Sequence, residues 1–265
     1  MKEIEKITSR DNRRLVNARR VRDGKEPEQI FVEGRRLVGE ALRSSLEIRE
    51  CFVDEGFRDR ELLDAMAKRM IAIAELPARI FDSIVDTKQP QGIALVAKRP
   101  LHSRLTIESR LKTAALPIVI YLKEVNNPSN LGAVLRTAEA ADVAGIIISK
   151  NSADVFSPKA IRSSMGSSFR LPVLENIDFE EILRWAKEWE LTMTASDILG
   201  EKSHYQIDWT TPRLLIFGSE AHGLNETELE RVAEKIQISM ENGVESLNLA
   251  VSAGIILFEA KRQNA

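Results

Sequence analysis

The chain carries a single cysteine, Cys51, in 265 residues, so no internal disulfide can form and a reducing cytoplasm is the expected compartment. Its three histidines, His102, His204 and His222, are too scattered to suggest a metal site. No apolar run reaches ~18 residues without a polar group, and the opening MKEIEKITSRDNRR is charged throughout, so neither a membrane span nor a signal peptide is expected. An excess of one charge is also lacking. With 38 basic against 40 acidic residues the net charge is −2, which argues against a uniformly basic nucleic-acid binder. Two phosphate signatures are absent as well: the G-x-G-x-x-G that opens a dinucleotide-binding helix, and the Gly-Lys-Ser/Thr of a P-loop. A nucleotide phosphate is therefore a poor candidate ligand, and a nucleotide-dependent oxidoreductase on a doubly wound sheet lacks its fingerprint.

What is present is ordinary globular chemistry, 43% hydrophobic and 29% charged, with length for two modest domains. Residues 1–26 read as a helical arm. Within it Lys2, Lys6, Arg10, Arg13, Arg14, Arg19, Arg20, Arg22 and Lys25 oppose Glu3, Glu5, Asp11 and Asp23, a local net charge of +5. This is either a phosphate-contacting arm or an amphipathic helix that packs on its own domain through Leu15, Val16 and Val21. Residues 27–98 alternate strands (30–32, 51–53, 71–74, 92–97) with helices (35–43, 61–70, 77–85), the pattern of a small α/β domain. Residues 99–115 form a polar linker with a helix near 107–111. From 116 to 265 longer apolar strands recur at 117–122, 145–149, 191–196, 213–218 and 236–240, implying a mostly parallel sheet. The helix over 178–190 opens with a capping box, Asp178 with Glu181, and Trp185 and Trp189 are expected to anchor its packing.

Three stretches of this second half carry candidate chemistry. The strand at 117–122 runs into a polar loop and the helix NLGAVLRTAEAADV, on which Leu131, Val134, Leu135 and Ala138 form the apolar stripe while Gly132 and Arg136 lie one above the other. An arginine beside a helix amino terminus suits a phosphate or carboxylate. The strand at 213–218 ends at Gly218 and meets the glycine-bounded loop Ser219–Gly223, where Glu220 could pair with a cation or hydroxyl and a side chain at position 218 would fill ligand space. In the stretch 236–258, Ile236, Ile238 and Met240 alternate like a half-buried strand. Asn242-Gly243 is a turn, and the helix from Leu247 is apolar enough to be buried on most sides. Ser246 and Asn248 are the polar groups at that helix's mouth. Read alone, Ser246 is a helix cap.

Together, NNPSNLGAVLRTAEA, LLIFGSEAHGL and ISMENGVESLNLAVSAGI, in this order and each after a strand, resemble the three signature motifs of the SpoU/TrmH family of RNA ribose methyltransferases. Residues 27–98 are similar to the small substrate-binding domain that many members carry. The resemblance implies a trefoil-knotted α/β domain, S-adenosylmethionine as cofactor, an RNA substrate, and a homodimer. It implies Gly218, Ile238 and Leu247 as cofactor-binding positions with Glu220 close by, and Asn130, Arg136, Ser246 and Asn248 as catalytic ones. Ala221 stands where the family usually has glycine, and Ser239 where it usually has proline. The expected activity is 2′-O-methylation of RNA, ribosomal RNA before transfer RNA. The alternative is a non-catalytic RNA-binding protein that uses the knotted domain only to dimerise. The family proposes Arg136 as a general base, but a guanidinium does not deprotonate in a protein, which favours a phosphate grip.

Overall fold

A computed structural model describes residues 4–265 and divides the chain into two compact units. Lys2 and Glu3, counted above in the basic segment, lie outside the described residues. Unit one runs to Pro100 and includes Val155–Arg170; unit two comprises Leu101–Asp154 and Leu171–Ala265.

Unit one contains β1 (Glu5–Lys6), α1 (Arg13–Arg22), β2 (Gln29–Glu33), α2 (Arg35–Arg43), β3 (Ile48–Asp54), α3 (Arg60–Lys68), β4 (Ala72–Leu76), α4 (Ala78–Phe81) and β5 (Ile93–Lys98). Its sheet has the order β1-β4-β3-β5-β2, with β5 antiparallel to both neighbours and the other pairs parallel. The amino-terminal segment is built into this unit. β1 adds an edge to β4, and α1 buries Leu15, Ala18 and Val21 against Phe31, Phe52 and Phe81. Val16, expected as a third anchor, is exposed, because it lies ~100° around the helix from Leu15. Much of the segment's charge is engaged within the unit. Arg14 pairs with Glu5 and Glu50, Arg20 with Glu26, and Arg22 donates to the carbonyls of Ser83 and Val85.

Unit two contains α5 (Arg104–Leu111), β6 (Leu116–Leu122), α6 (Pro128–Ala141) and β7 (Val143–Ile148). The chain then contributes α7 (Pro158–Ser164) and a 3-10 turn (Ser167–Phe169) to unit one. Unit two resumes with β8 (Val173–Leu174), α8 (Phe179–Glu188), β9 (Thr192–Ser196), β10 (Lys202–Ser203), β11 (Arg213–Phe217), α9 (Glu226–Leu229), β12 (Glu234–Gln237) and α10 (Leu249–Gln263). All seven strands are parallel, in the order β10-β12-β9-β11-β6-β7-β8. Every residue of β7 and β11 is buried, which explains why these strands read as continuous apolar runs rather than alternations.

The placement of 155–170 differs from the sequence-based boundary, which gave all of 116–265 to the second domain. Its anchors are remote in sequence: Arg162 pairs with Asp86, Arg170 with Glu40, and the Phe156 ring lies under the Arg99 guanidinium. Within unit two, Trp185 is buried with its indole N–H on Glu108, while Trp189 is half-buried beneath Lys112. Asp178 caps α8 by accepting the Glu181 N–H at 2.8 Å, but the Glu181 carboxylate turns to Arg104 instead of closing a box. Arg213, buried in β11, bonds Thr194 of β9, Glu234 of β12 and the Asp208 carbonyl, so one cation ties three neighbouring segments.

Three expectations for the last motif change. The strand expected over 236–240 is Glu234–Gln237, because pairing with β9 and β10 ends there; Ile238 and Met240 follow outside the sheet. The final helix starts at Leu249, two residues late, with Asn248 rather than Ser246 as its cap. Nor is α10 buried on most sides. Ala253, Ile256, Leu257 and Ala260 face the core while Val251 and Phe258 are half exposed. Among the described residues no helix is long and apolar enough to cross a membrane, and no group of three His, Cys, Asp or Glu side chains is placed to hold a metal ion.

Candidate active site

The site is assembled at the carboxyl ends of β6, β9, β11 and β12, where loops of a parallel sheet gather. β6 leads into α6, whose amino end is set by Pro128 in its first turn and by Asn127, which accepts the Ser129 N–H at 2.9 Å. Asn248 does the same for α10, accepting the Ala250 N–H at 2.9 Å. The two helices run side by side in the same direction. Asn248 meets Asn130, a Cβ on Gly254 would stand 3.8 Å from the Thr137 methyl, and Lys261 Nζ donates to the Ala140 carbonyl at 2.9 Å. Two positive helix ends therefore open at the same place.

The β11–α9 loop closes another side. Ser219 and Gly223 exchange backbone hydrogen bonds at 3.0 and 2.9 Å, making a tight bend that returns over Gly218. A Cβ on Gly218 would lie 2.2 Å from the Gly223 carbonyl carbon. Glycine is thus required by the loop folding against itself, a constraint that the sequence did not show. The loop after β9 has a similar close approach: a Cβ on Gly200 would lie 2.3 Å from the Ile236 carbonyl carbon. Beneath the site, Lys123 at the end of β6 holds both oxygens of Glu228 at 2.6 and 2.7 Å, pinning α9 to the sheet.

These walls enclose a cavity of about 730 Å3, within the ~300–1,000 Å3 typical of small-molecule sites. Asn130, Gly218, Glu220, Ile238, Ser246, Leu247 and Asn248 all line it. A directed chain of hydrogen bonds joins three of them: Asn248 Nδ2 donates to Asn130 Oδ1 at 3.0 Å, and Asn130 Nδ2 donates to Glu220 Oε1. The other Glu220 oxygen accepts the Asn127 backbone N–H at 3.3 Å.

Arg136 is the exception. It sits eight residues into α6, ~12 Å along the axis from Pro128, so it is not beside the helix amino terminus as the linear motif suggested. It does not line the cavity. Gly132, one turn earlier, is buried, whereas Arg136 is exposed with Ala140 on the outer face of α6. Ala221 and Ser239, the two departures from the motif, are both exposed, Ala221 in the cavity wall. His222 also lines the cavity; its backbone N–H is held by Ser219 Oγ at 3.1 Å.

The sequence reading missed Asp197, Ile198 and Leu199, which form the wall at the end of β9. Asp197 Oδ1 accepts the Leu199 N–H at 2.8 Å, a local turn that leaves Leu199 82% exposed at the cavity mouth. Their only sequence signal was position after an apolar strand. Relevance followed from β9 lying between β11 and β12, an order the linear sequence does not display.

A polar cavity at the carboxyl ends of a parallel sheet, with amide and carboxylate side chains from separate loops facing into it, defines an α/β enzyme with a small-molecule site. The chain belongs to the SpoU rRNA Methylase family, which residues 117–258 match; residues 31–102 match the family's RNA 2′-O ribose methyltransferase substrate-binding domain. Among its relatives is an rRNA methyltransferase 3A, mitochondrial, of Danio rerio, 29% identical over 98% of this chain and 70% of the relative. Another is a 23S rRNA (guanosine(2553)-2′-O)-methyltransferase of Bacillus subtilis, 27% identical over 97% of this chain and all of the relative. An AdoMet-bound rRNA methyltransferase from Sinorhizobium meliloti superposes with a TM-score of 0.84 at 25% identity, covering 98% of each chain.

Proposed function

We propose that this chain methylates the ribose 2′-hydroxyl of ribosomal RNA with S-adenosylmethionine, as a cytoplasmic homodimer. The observation that carries the proposal is the convergence of Asn130, Glu220, Ser246 and Asn248, from three motifs spread over 119 residues, on one cavity. The choice of ribosomal over transfer RNA rests on the names of the relatives above. A trefoil knot in unit two is part of the same reading, supported by the close crossing of Gly200 on Ile236 and by α10 returning alongside α6 after β12.

The cavity suits the cofactor. Phe217, Ile238 and Leu247 offer apolar walls for a purine, and the carboxylate of Asp197 with the loop carbonyls suits an ammonium and ribose hydroxyls. S-adenosylmethionine bound there supplies an electrophilic methyl carbon on a sulfonium. The protein's own tasks are to orient the attacking hydroxyl and to keep the reacting atoms in line. Asn130 and Asn248 each hold one amide proton in the network and keep one to donate. The Ser246 hydroxyl is exposed on the same wall and free to accept or donate. Solvent takes the proton. Arg136 grips an RNA phosphate from its exposed place on α6. The half-exposed Val251 and Phe258 on α10, at i and i+7, form an apolar strip fit for a two-fold interface next to that face. Phe258→Glu is accordingly expected to yield monomers in sedimentation.

The test is direct: 2′-O-methyl groups are mapped in total RNA from cells with and without this protein, and calorimetry measures S-adenosylhomocysteine binding. One ribosomal site lost with the protein, and binding below millimolar, are expected. RNA binding without cofactor binding would establish the non-catalytic alternative, and a lost site in transfer RNA would move the substrate.

A further inference from the structure

We infer that Glu220 is a positioning residue: its carboxylate fixes the Asn130 amide in one of its two orientations and so aligns a polarised hydrogen-bond chain across the cavity wall. The inference rests on the methyltransferase reading above but concerns a different task from cofactor contact. The chain starts at the amino end of α10, where the Ala250 N–H, which can only donate, meets Asn248 Oδ1 at 2.9 Å. That leaves the Asn248 amide nitrogen to face Asn130, and it donates to Asn130 Oδ1 at 3.0 Å. The Asn130 nitrogen in turn donates to Glu220 Oε1. Every link runs the same way, from a backbone donor that cannot reverse to a carboxylate that cannot donate.

Both ends are needed. An Asn130 turned by 180° would set its carbonyl against the Glu220 carboxylate and its NH2 against the Asn248 NH2, so two favourable contacts would become two repulsive ones. The Asn248 end alone prefers the observed orientation through one neutral hydrogen bond; Glu220 adds a charge-assisted one, which is about twice as strong. Glu220 is itself held by the Asn127 N–H at 3.3 Å, at the amino end of α6, where a negative charge is favoured. Glu220 reaches the reaction through Asn130, whose amide nitrogen donates to it. The β11–α9 loop thereby sets the side-chain geometry of two helices that belong to other motifs.

The test combines turnover, cofactor affinity and the side-chain amide spectrum of the full chain. Turnover is measured with tritium-labelled S-adenosylmethionine and RNA from cells lacking this protein. Glu220→Ala is expected to lower kcat ten- to hundredfold while the S-adenosylhomocysteine Kd stays within threefold. With Asn130→Ala the two losses should not multiply, because one interaction is being removed twice. Asn130→Asp places two carboxylates together and should be slower still. Adding Glu220→Gln to it should restore at least tenfold of the loss, since donor and acceptor exchange ends. Multiplicative losses, absence of rescue, or a Kd that weakens in step with the rate would overturn the proposal, the last making Glu220 a cofactor ligand. The nitrogen-15 amide resonances of Asn130 decide it without turnover. They should shift in Glu220→Ala, and unmoved resonances refute the alignment even where the enzyme proves inactive on every RNA. Inactivity together with no cofactor binding would instead refute the methyltransferase reading.

Discussion

Replacing Gly218 by alanine tests whether the loop's close approach to itself, rather than ligand space, holds the cavity in shape. The added Cβ would lie 2.2 Å from the Gly223 carbonyl carbon, 2.5 Å from the Leu224 nitrogen and 2.6 Å from the Gly223 Cα. All three are backbone atoms, so relief requires the chain at Gly223 and Leu224 to move by roughly 1 Å to reach ordinary contact near 3.4 Å. Such a shift breaks the two bonds between Ser219 and Gly223, at about 0.5–1.5 kcal/mol each. A loss of about 1–3 kcal/mol follows, or on the order of 5 °C in melting temperature. The bend also carries Glu220, so the network to Asn130 and Asn127 is lost with it. Calorimetry should show S-adenosylhomocysteine binding weakened at least tenfold in a protein that still unfolds cooperatively. Gly223→Ala is the control. No atom stands within 4 Å of its Cβ, but its φ of +65° is left-handed, so it should cost ~1 kcal/mol with the loop path retained. Wild-type affinity and melting temperature in Gly218→Ala would show that the loop accepts a Cβ at this position without moving.

Other outcomes follow from particular contacts. Arg136→Lys keeps the charge but loses the planar fork, so turnover should fall about ten- to hundredfold at every pH, with RNA affinity reduced and cofactor affinity unchanged; recovery along a lysine titration curve would establish a general base. Arg22→Ala removes hydrogen bonds to the Ser83 and Val85 carbonyls at 3.2 and 3.1 Å, so the urea midpoint should drop by the equivalent of about 1–3 kcal/mol. The salt dependence of RNA binding should not change, whereas a flattened slope would restore α1 as a phosphate-contacting arm. Hydrogen bonds from Arg262 and Gln263 hold the Glu259 carboxyl down at about 2, against an ordinary 4.5. A depressed carboxyl stabilises the fold at pH values above its unfolded pKa, and this contribution is lost as pH falls from about 4.5 towards 2. Urea unfolding of Glu259→Gln should therefore differ more from wild type at pH 7 than at pH 3, and an equal difference at both would contradict the assignment.

Most local elements, and most of the side chains that meet at the cavity, were legible in the linear sequence. Apolar runs marked β6, β7 and β11 because strands buried on both faces need continuous hydrophobicity, whereas α6 starts at Pro128, two residues before the helix expected from Asn130, because proline tolerates a first turn. Seven of the eight site residues expected from the motifs line the cavity. Strand order and helix phase, by contrast, exist only in the folded chain. Asp197 entered the cavity wall because β9 lies between β11 and β12, and Val155–Arg170 joined unit one through partners such as Asp86 and Glu40, remote in the chain. Arg136 moved out of the cavity because six residues from Asn130 is ~240° around a helix, a rotation that proximity in a motif conceals. Gly218 gained a second reason to be glycine, since only the folded loop shows that the Gly223 backbone occupies the space a side chain would need.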